Sequence, residues 1–562
     1  MPGARPVLAG AAAAIMRALA ALYVVAAITG CIASYSPVPF WDMWEGYIGF
    51  FLGLEERGWQ AWWAQHNEHR IVLGRLLFWI DINLFGGNFL FLLVSNFLFA
   101  GIAALLFSRM IRDATADADA VAQRRLAAPV VVCLMFSWVQ SENFTWGFQG
   151  AFFLAQLIPL AAMYCLYLHS AARVRNGLFI AAALLGVASA LTMANGILTL
   201  PLLVMLALFF RLDRSRVGLL LALAIATLAF YFLDFHAVGH HGSVLDAIVG
   251  QPLALLQYVL LYLGGPFDVL SAGGSLWAAQ AAGAIFMLGT AFLLIRIWRA
   301  PAVDALSQTL LVFIGYILAT AFGTGAGRIV FGVEQALASR YTTPALMAWC
   351  ALLAACMQVF RHSARGRRVV VTLGALAAAT LLPLQLSALN AQPVDPFERL
   401  IAGLALEMGI RDSQQIRHVA PRLDTALDLA DAARQRGLSV FGNPLLRGMR
   451  EDIGRRQLPA LPDAARCVAR IDTVNPLPGE RRYLAIGGWI YRADTDDIPR
   501  TILFSDSAGT LIGYGFSGGR RCDITEARGS HPGQCNVGFK GYLLAAYAGA
   551  PVSVFGEQPD CR

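Results

Sequence analysis

"NFLFLLVSNFLFAGIAALLFSRM", residues 88–110, carries no charged side chain from Phe89 to Ser108 and then closes on Arg109. A helix rises about 1.5 Å per residue, so this run covers a hydrocarbon core about 30 Å thick while keeping its backbone hydrogen bonds internal. The stretch reads as a membrane span, with the arginine marking its cytoplasmic end. The same pattern recurs along the chain. Of the 562 residues, 57% are hydrophobic and 14% charged, and a mean hydropathy of +0.59 excludes an ordinary soluble domain.

Arginine clusters orient the spans. They fall at Arg109, Arg112, Arg124 and Arg125, at Arg173 and Arg175, from Arg211 to Arg216, at Arg296 and Arg299, and from Arg361 to Arg368. Placing all of them inside requires about eleven transmembrane helices, near residues 8–34, 89–110, 128–141, 147–168, 177–194, 196–210, 217–235, 276–297, 305–323, 343–361 and 368–389. The first run is too long, and lacks the small-residue cleavage site, for a removable signal peptide. "IVLGRLLFWIDINLFGG" (71–87) and "PLALLQYVLLYLGG" (252–265) would each invert the charge pattern by crossing, so both read as helices lying at the outer interface. The net charge of +7 reflects the inner loops and gives no ground for a nucleic-acid partner.

Composition changes near residue 390. Residues 1–390 read as a transmembrane domain whose first outer loop, 35–88, contains the first interfacial helix. Residues 391–460 read as a helical linker, with charged faces in "DPFERLIAGLALEMGIRDSQQI" and "RLDTALDLADAARQRG". Residues 461–562 break into short strands such as "YLAIGGWIY" and "TILFSDSAGTLIGYGF", the pattern of a small sandwich-like β domain. An odd number of spans from an inner N-terminus leaves this tail outside. Five cysteines, Cys31, Cys133, Cys165, Cys350 and Cys356, lie in or beside spans, where a thiol acts as a small apolar group. The other four lie in the tail and suggest two disulfides; loop length favours Cys522 with Cys535 and Cys467 with Cys561.

Polar side chains concentrate in the outer loops. "FWDMWEGY" (40–47) sets Asp42 and Glu45 among rings, "QHNEHR" (65–70) packs His66, Glu68, His69 and Arg70, "QSENFTWGFQG" (140–150) holds Glu142 with Gln140, Asn143 and Gln149, and "ASRYTTPALMAW" (338–349) holds Arg340 and Tyr341. Taken singly, such acids are ordinary solvated loop residues, interfacial rings are ordinary anchors, and "HAVGHHG" (236–242) is an ordinary turn. Taken in order, they resemble the GT-C class of membrane glycosyltransferases. In that class an acid follows span one, a His-containing motif opens an interfacial helix ending in "LFG", a second acid lies between later spans, and an "RY..PALP" signature precedes a late span. The tail is similar to β domains appended to bacterial surface-glycan membrane proteins.

The resemblance implies an inverting glycosyltransferase that moves a hexosyl or pentosyl unit from a polyprenyl-phosphate donor to a cell-envelope glycan or lipid acceptor. It places the enzyme in the bacterial inner membrane, multi-pass, with a periplasmic C-terminal domain and the membrane lipids as further partners. Such a reaction needs a base for the acceptor hydroxyl, and a carboxylate in a partly dry pocket suits that role. Asp42 is the candidate base and Glu142 the second catalytic carboxylate. The leaving phosphate gains charge, which a guanidinium matches by paired hydrogen bonds. Arg340 is the first candidate, with Tyr341 beside it and Arg70 and Arg328 behind. Glu45, His66, Glu68, His69, Gln140, Asn143 and Gln149 are candidates for holding substrate. No cofactor is required by the pattern; a divalent metal ion, if used, would take His66, Glu68 and His69, although no diagnostic motif occurs.

Two other classes fit a many-span chain. A polyprenyl-lipid or glycan transporter would place its polar residues near the bilayer midplane on broken helices. A non-catalytic glycan-binding envelope protein would use the spans only as an anchor. The conspicuous acids and histidines lie in outer loops and no internal repeat is visible, so the transferase is expected.

Overall fold

A computed structural model of the chain describes residues 4–561 except 116–119, 173–175, 237–238, 240–241, 243, 272–273, 300–303, 391–393, 459–465 and 527–534. Arg173, Arg175 and the paired histidines of "HAVGHHG" lie outside the described residues. The chain forms two compact units: Met1–Ile32, Trp62–Leu77 and Leu92–Asn390 make the first, and Ala33–Ala61, Phe78–Phe91 and Ala391–Arg562 the second.

Among the described residues, nine helical segments are long and apolar enough to cross a membrane: Gly10–Ala33, Leu90–Ala114, Gly147–Ala171, Arg214–Tyr231, Pro252–Leu270, Trp277–Trp298, Ala305–Phe331, Ser339–Val359 and Ala364–Asn390. Eight of them coincide with expected spans. Three other expected spans are shorter helices. Asn176–Ser189 and Ala194–Phe209 are apolar but fall short of a full crossing, and Val121–Met135 carries Arg124 and Arg125 with a proline at 129.

Pro252–Leu270 replaces the expected interfacial helix at 252–265 with a segment of spanning length. Its packing explains the difference. Leu255, Tyr258, Leu261, Tyr262 and Leu263 are buried. Against Trp277–Trp298 the two backbones touch: a Cβ on Gly264 would lie 1.8 Å from the Ala279 carbonyl, and one on Gly283 would lie 2.1 Å from that of Leu260. Small residues permit this approach between apolar helices, and charge counting cannot see it. Val72–Phe85, the other stretch read as interfacial, is a helix of 14 residues.

The caps at the arginine clusters follow from local chemistry. Asp213, Asp304 and Ser363 begin Arg214–Tyr231, Ala305–Arg328 and Ala364–Thr380, and each accepts a backbone N–H three residues ahead, from Arg216, Ser307 and Gly366. Such caps satisfy donors that a helix start leaves open. Thr342–Val359 is the most enclosed helix of the first unit, and Ala345, Ala348, Ala351, Ala354 and Ala355 let its neighbours close around it.

The second unit contains one six-stranded antiparallel sheet: β1 (Cys467–Pro476), β2 (Tyr483–Arg492), β3 (Thr501–Ser505), β4 (Leu511–Gly519), β5 (Gly538–Leu544) and β6 (Ser553–Glu557), in the order β1-β2-β5-β4-β3-β6. The small β domain expected from sequence is thus present, its six strands joined in one hydrogen-bonded sheet. Ile486, Ile490, Ile502, Phe504, Ile512, Phe539 and Leu543 line the inner face. The ends of the sheet meet: Cys561, paired by backbone hydrogen bonds to Gly556 of β6, is disulfide-bonded to Cys467 of β1. Cys522 and Cys535 form the second bridge, so both pairings agree with loop-length reasoning. Helix Val394–Met408 packs on β4 and β5, and Leu423–Gln435 lies against it.

Candidate functional site

In the first unit the chain between Val121–Met135 and the next long helix is broken into short turns, Trp138–Gln140, Ser141–Thr145 and Gly147–Gln149. Broken helices leave backbone groups that side chains must satisfy. Asn96 Nδ2 donates to the carbonyls of Asn143 (2.9 Å) and Trp146 (3.2 Å), and Ser339 Oγ accepts from Glu142 N (3.2 Å) while donating to Val139 O (2.9 Å). Arg340 sits in the turn Ser339–Tyr341, just before the enclosed helix. The Glu142 carboxylate accepts from both the backbone N of Arg340 (3.1 Å) and its Nη1 (3.2 Å). Both side chains are 27% exposed, so the pair is screened only in part.

The amides expected to hold substrate face inward. Asn143 Nδ2 donates to Arg340 O (3.1 Å) and to Thr343 Oγ1 (2.6 Å), the Thr343 hydroxyl donates to Gln140 Oε1, and Gln140 Nε2 donates to Met135 O (2.6 Å). Gln140 and Asn143 therefore fix the loop on which Glu142 rides. Gln149 is fully buried, and neither end of its amide has a partner among the described residues.

A second acid–guanidinium pair lies in the same unit. His66 and His69 exchange backbone hydrogen bonds (2.9 and 3.0 Å) across a tight turn whose left-handed residue is Asn67, φ 48°. The turn presents Glu68, whose Oε1 lies 3.4 Å from Arg328 Nη2 and 3.5 Å from His69 Nε2. His69 Nδ1 accepts from Ala194 N (3.1 Å), which leaves Nε2 to carry the proton toward Glu68. Tyr231 donates to Glu68 O (2.8 Å). Arg70 is buried, donates to the carbonyls of Trp63 and Leu233 (2.7 Å each), and lies 5.1 Å from the Trp63 ring. The His66 ring packs against Phe148 at 5.2 Å with Nε2 unpartnered, and burial first, then the charges of His69 and Arg75, push its pKa down to about 4. It is neutral at physiological pH. His66, Glu68 and His69 do not form a metal-holding cluster; among the described residues no three His, Cys, Asp or Glu side chains do.

Tyr258 lies close to Tyr341 and in the field of both Arg328 and Arg340. Tyr341 stacks on Tyr262 (5.4 Å), and the Arg340 guanidinium sits 5.3 Å from the Tyr341 ring. Each guanidinium has five N–H donors in a planar fork, of which its carboxylate takes one. Each guanidinium therefore keeps donors beyond the one its carboxylate takes. Tyr258 was missed in the sequence because its stretch read as interfacial. Ser339 and Thr343 were missed because hydroxyls that tie loops together carry no spacing signal.

Asp42 and Glu45 belong to the second unit. Trp41 N and Trp44 Nε1 both donate to Val419 O (2.7 and 3.2 Å), Arg399 lies 3.9 Å from the Phe40 ring, and Glu45 pairs with Arg422. The Asp42 carbonyl accepts from Gly46 N (2.7 Å), and its side chain is half-buried. Asp81, present in the quoted interfacial stretch but not singled out, is fully buried and accepts from Tyr47 Oη (2.6 Å) and Phe89 N (3.3 Å).

No protein-family model matches the chain, and no curated protein sequence matches it. Among solved structures, the crystal structure of the Archaeoglobus fulgidus oligosaccharyltransferase in complex with zinc and sulfate aligns with 73% of this chain at 14% sequence identity and a TM-score of 0.41. This chain spans 57% of that one, and a likeness at this level carries no functional argument.

Proposed function

We propose that the chain is a GT-C-like glycosyltransferase of a bacterial inner membrane, transferring a sugar from a polyprenyl-phosphate donor to a cell-envelope acceptor on the outer face. The observation that supports this reading is the presence in the first unit of two guanidiniums each beside its own carboxylate, Arg340 with Glu142 and Arg328 with Glu68. When an acceptor hydroxyl attacks the anomeric carbon, its proton passes to a carboxylate and the bond from that carbon to the phosphate oxygen breaks. The electron pair leaves on the lipid phosphate, and the N–H donors of Arg340 and Arg328 hold the charge that develops there. Direct displacement inverts the anomeric centre.

Asp42 is the base expected from sequence, and Glu142 is the carboxylate at the guanidinium. Purified protein, a polyprenyl-phosphate sugar and an envelope acceptor separate their roles. Asp42→Asn should lower turnover by about 100-fold or more with donor binding retained. Glu142→Gln should weaken donor binding as well, because Arg340 loses its anchor. Normal turnover in Asp42→Asn would remove Asp42 from the mechanism.

A further inference from the structure

The second unit holds a cleft of about 670 Å³ between helix Val394–Met408, the turn that follows it, and the outer face of β1, β2 and β5. The cleft exists because β2 places almost nothing on that face. Ile486 and Ile490 point into the core, so the pleat turns Ala485 and Gly487 outward and leaves a low floor. Trp489 follows on the same row, stacked with Tyr491 (5.8 Å, 6°).

The walls are charged but internally matched. Lys540 Nζ lies 2.7 and 2.8 Å from the two Glu398 oxygens, Arg521 Nη1 donates to Asp472 (2.5 Å), and Tyr542 Oη donates to Asp412 (2.9 Å). Among the described residues only Arg520 on this lining has no carboxylate partner. What remains for a ligand is a rim that mixes hydroxyls and amides, Thr473, Asn475, Ser413 and Gln414, with the apolar Pro476, Leu477 and Pro478. A polyanion would need more unmatched cations than Arg520. Donors and acceptors mixed with short apolar patches along a cleft of this size suit a polyhydroxylated chain, which offers both hydroxyls and C–H faces.

We propose that this cleft binds a stretch of uncharged or sparsely anionic polysaccharide. That the occupant is the acceptor glycan rests on the transferase reading; the chemistry of the cleft does not. The test uses the full-length protein in detergent micelles and, as probe, polysaccharide released from the envelope of the producing cells by mild acid and freed of lipid. Wild type should bind it saturably. Gly487→Leu, whose side chain rises from the floor where a Cβ already comes within 2.9 Å of Thr473 Oγ1, should weaken binding by about tenfold or more. If its melting temperature shows misfolding, Gln414→Ala with Asn475→Ala decides instead, with an expected loss of about threefold to tenfold.

Absence of binding by wild type, or equal binding by the well-folded variants, overturns the proposal. So does displacement of the polysaccharide by an extended peptide or by phosphatidylcholine vesicles. Sugar transfer onto a short acceptor separates the two readings. Transfer without polysaccharide binding defeats the cleft alone, whereas binding without transfer defeats the transferase alone.

Discussion

Two loops that look alike in sequence behave differently in the structure. "FWDMWEGY" and "QSENFTWG" each set glutamate among aromatic rings beside a long apolar helix. In the second, Glu142 is held by a backbone N–H and a guanidinium of the same residue, with both side chains 27% exposed. In the first, Glu45 meets Arg422 with exposures of 48% and 66%. An exposed pair in high dielectric contributes about 0–1 kcal/mol, while a part-buried pair pinned by the backbone holds its geometry. Asp81 marks the opposite extreme. It has no exposure, and burial lifts its pKa to about 6 although Tyr47 and Phe89 N both donate to it. Carboxylates in one protein thus span exposed, part-buried and fully buried positions.

The largest expected effect lies at Arg340. Arg340→Ala should cut transfer by about 100-fold or more and lower stability by roughly 1–3 kcal/mol, since Glu142 is left half-buried beside no cation. Arg340→Lys keeps the charge but loses the fork, and turnover should still fall by about tenfold. Initial rates and detergent melting curves read both. A lysine variant at the wild-type rate would mean that charge alone matters and would erase the contrast with Glu45.

Asp81 sharpens the comparison through pH. An acid with a higher pKa folded than unfolded keeps its proton longer in the folded chain. Its penalty is absent below the unfolded value near 3.8 and fully present once pH exceeds about 6. Stability should therefore fall as pH rises through that window, by on the order of 3 kcal/mol. Glu407, raised by burial to about 7, adds a slope of its own, so the informative quantity is the difference between wild type and Asp81→Asn. Asparagine still accepts from Tyr47 but cannot ionise, and its melting curve should be flatter from about pH 4 to about pH 6. Parallel curves would show that Asp81 stays charged in the folded chain.

The smallest effect is expected at Glu45. Glu45→Ala should shift stability by no more than about 1 kcal/mol, less in high salt, and leave transfer unchanged. A loss comparable to that of Arg340→Ala would mean that Glu45, despite its exposed pairing, takes part in the chemistry.

By itself the sequence determined what depends on local composition and spacing. Runs such as 88–110 are long and apolar enough to span because length and hydropathy are additive along a chain. The tail's strands and both cysteine pairings followed from alternation and loop length. The order of the polar loops pointed to Asp42, Glu142 and Arg340 as residues to watch. What only the tertiary structure decided depends on which backbones approach each other. Pro252–Leu270 packs backbone to backbone on Trp277–Trp298 at Gly264 and Gly283, a contact that no charge count reveals. Arg70 satisfies two carbonyls 7 and 163 residues away in sequence, and Gln140 and Asn143 turn inward to hold a loop. Polar side chains in a loop are interchangeable in one dimension. Burial and the position of distant carbonyls make one a staple, another an ion-pair partner and a third a buried acid with a raised pKa.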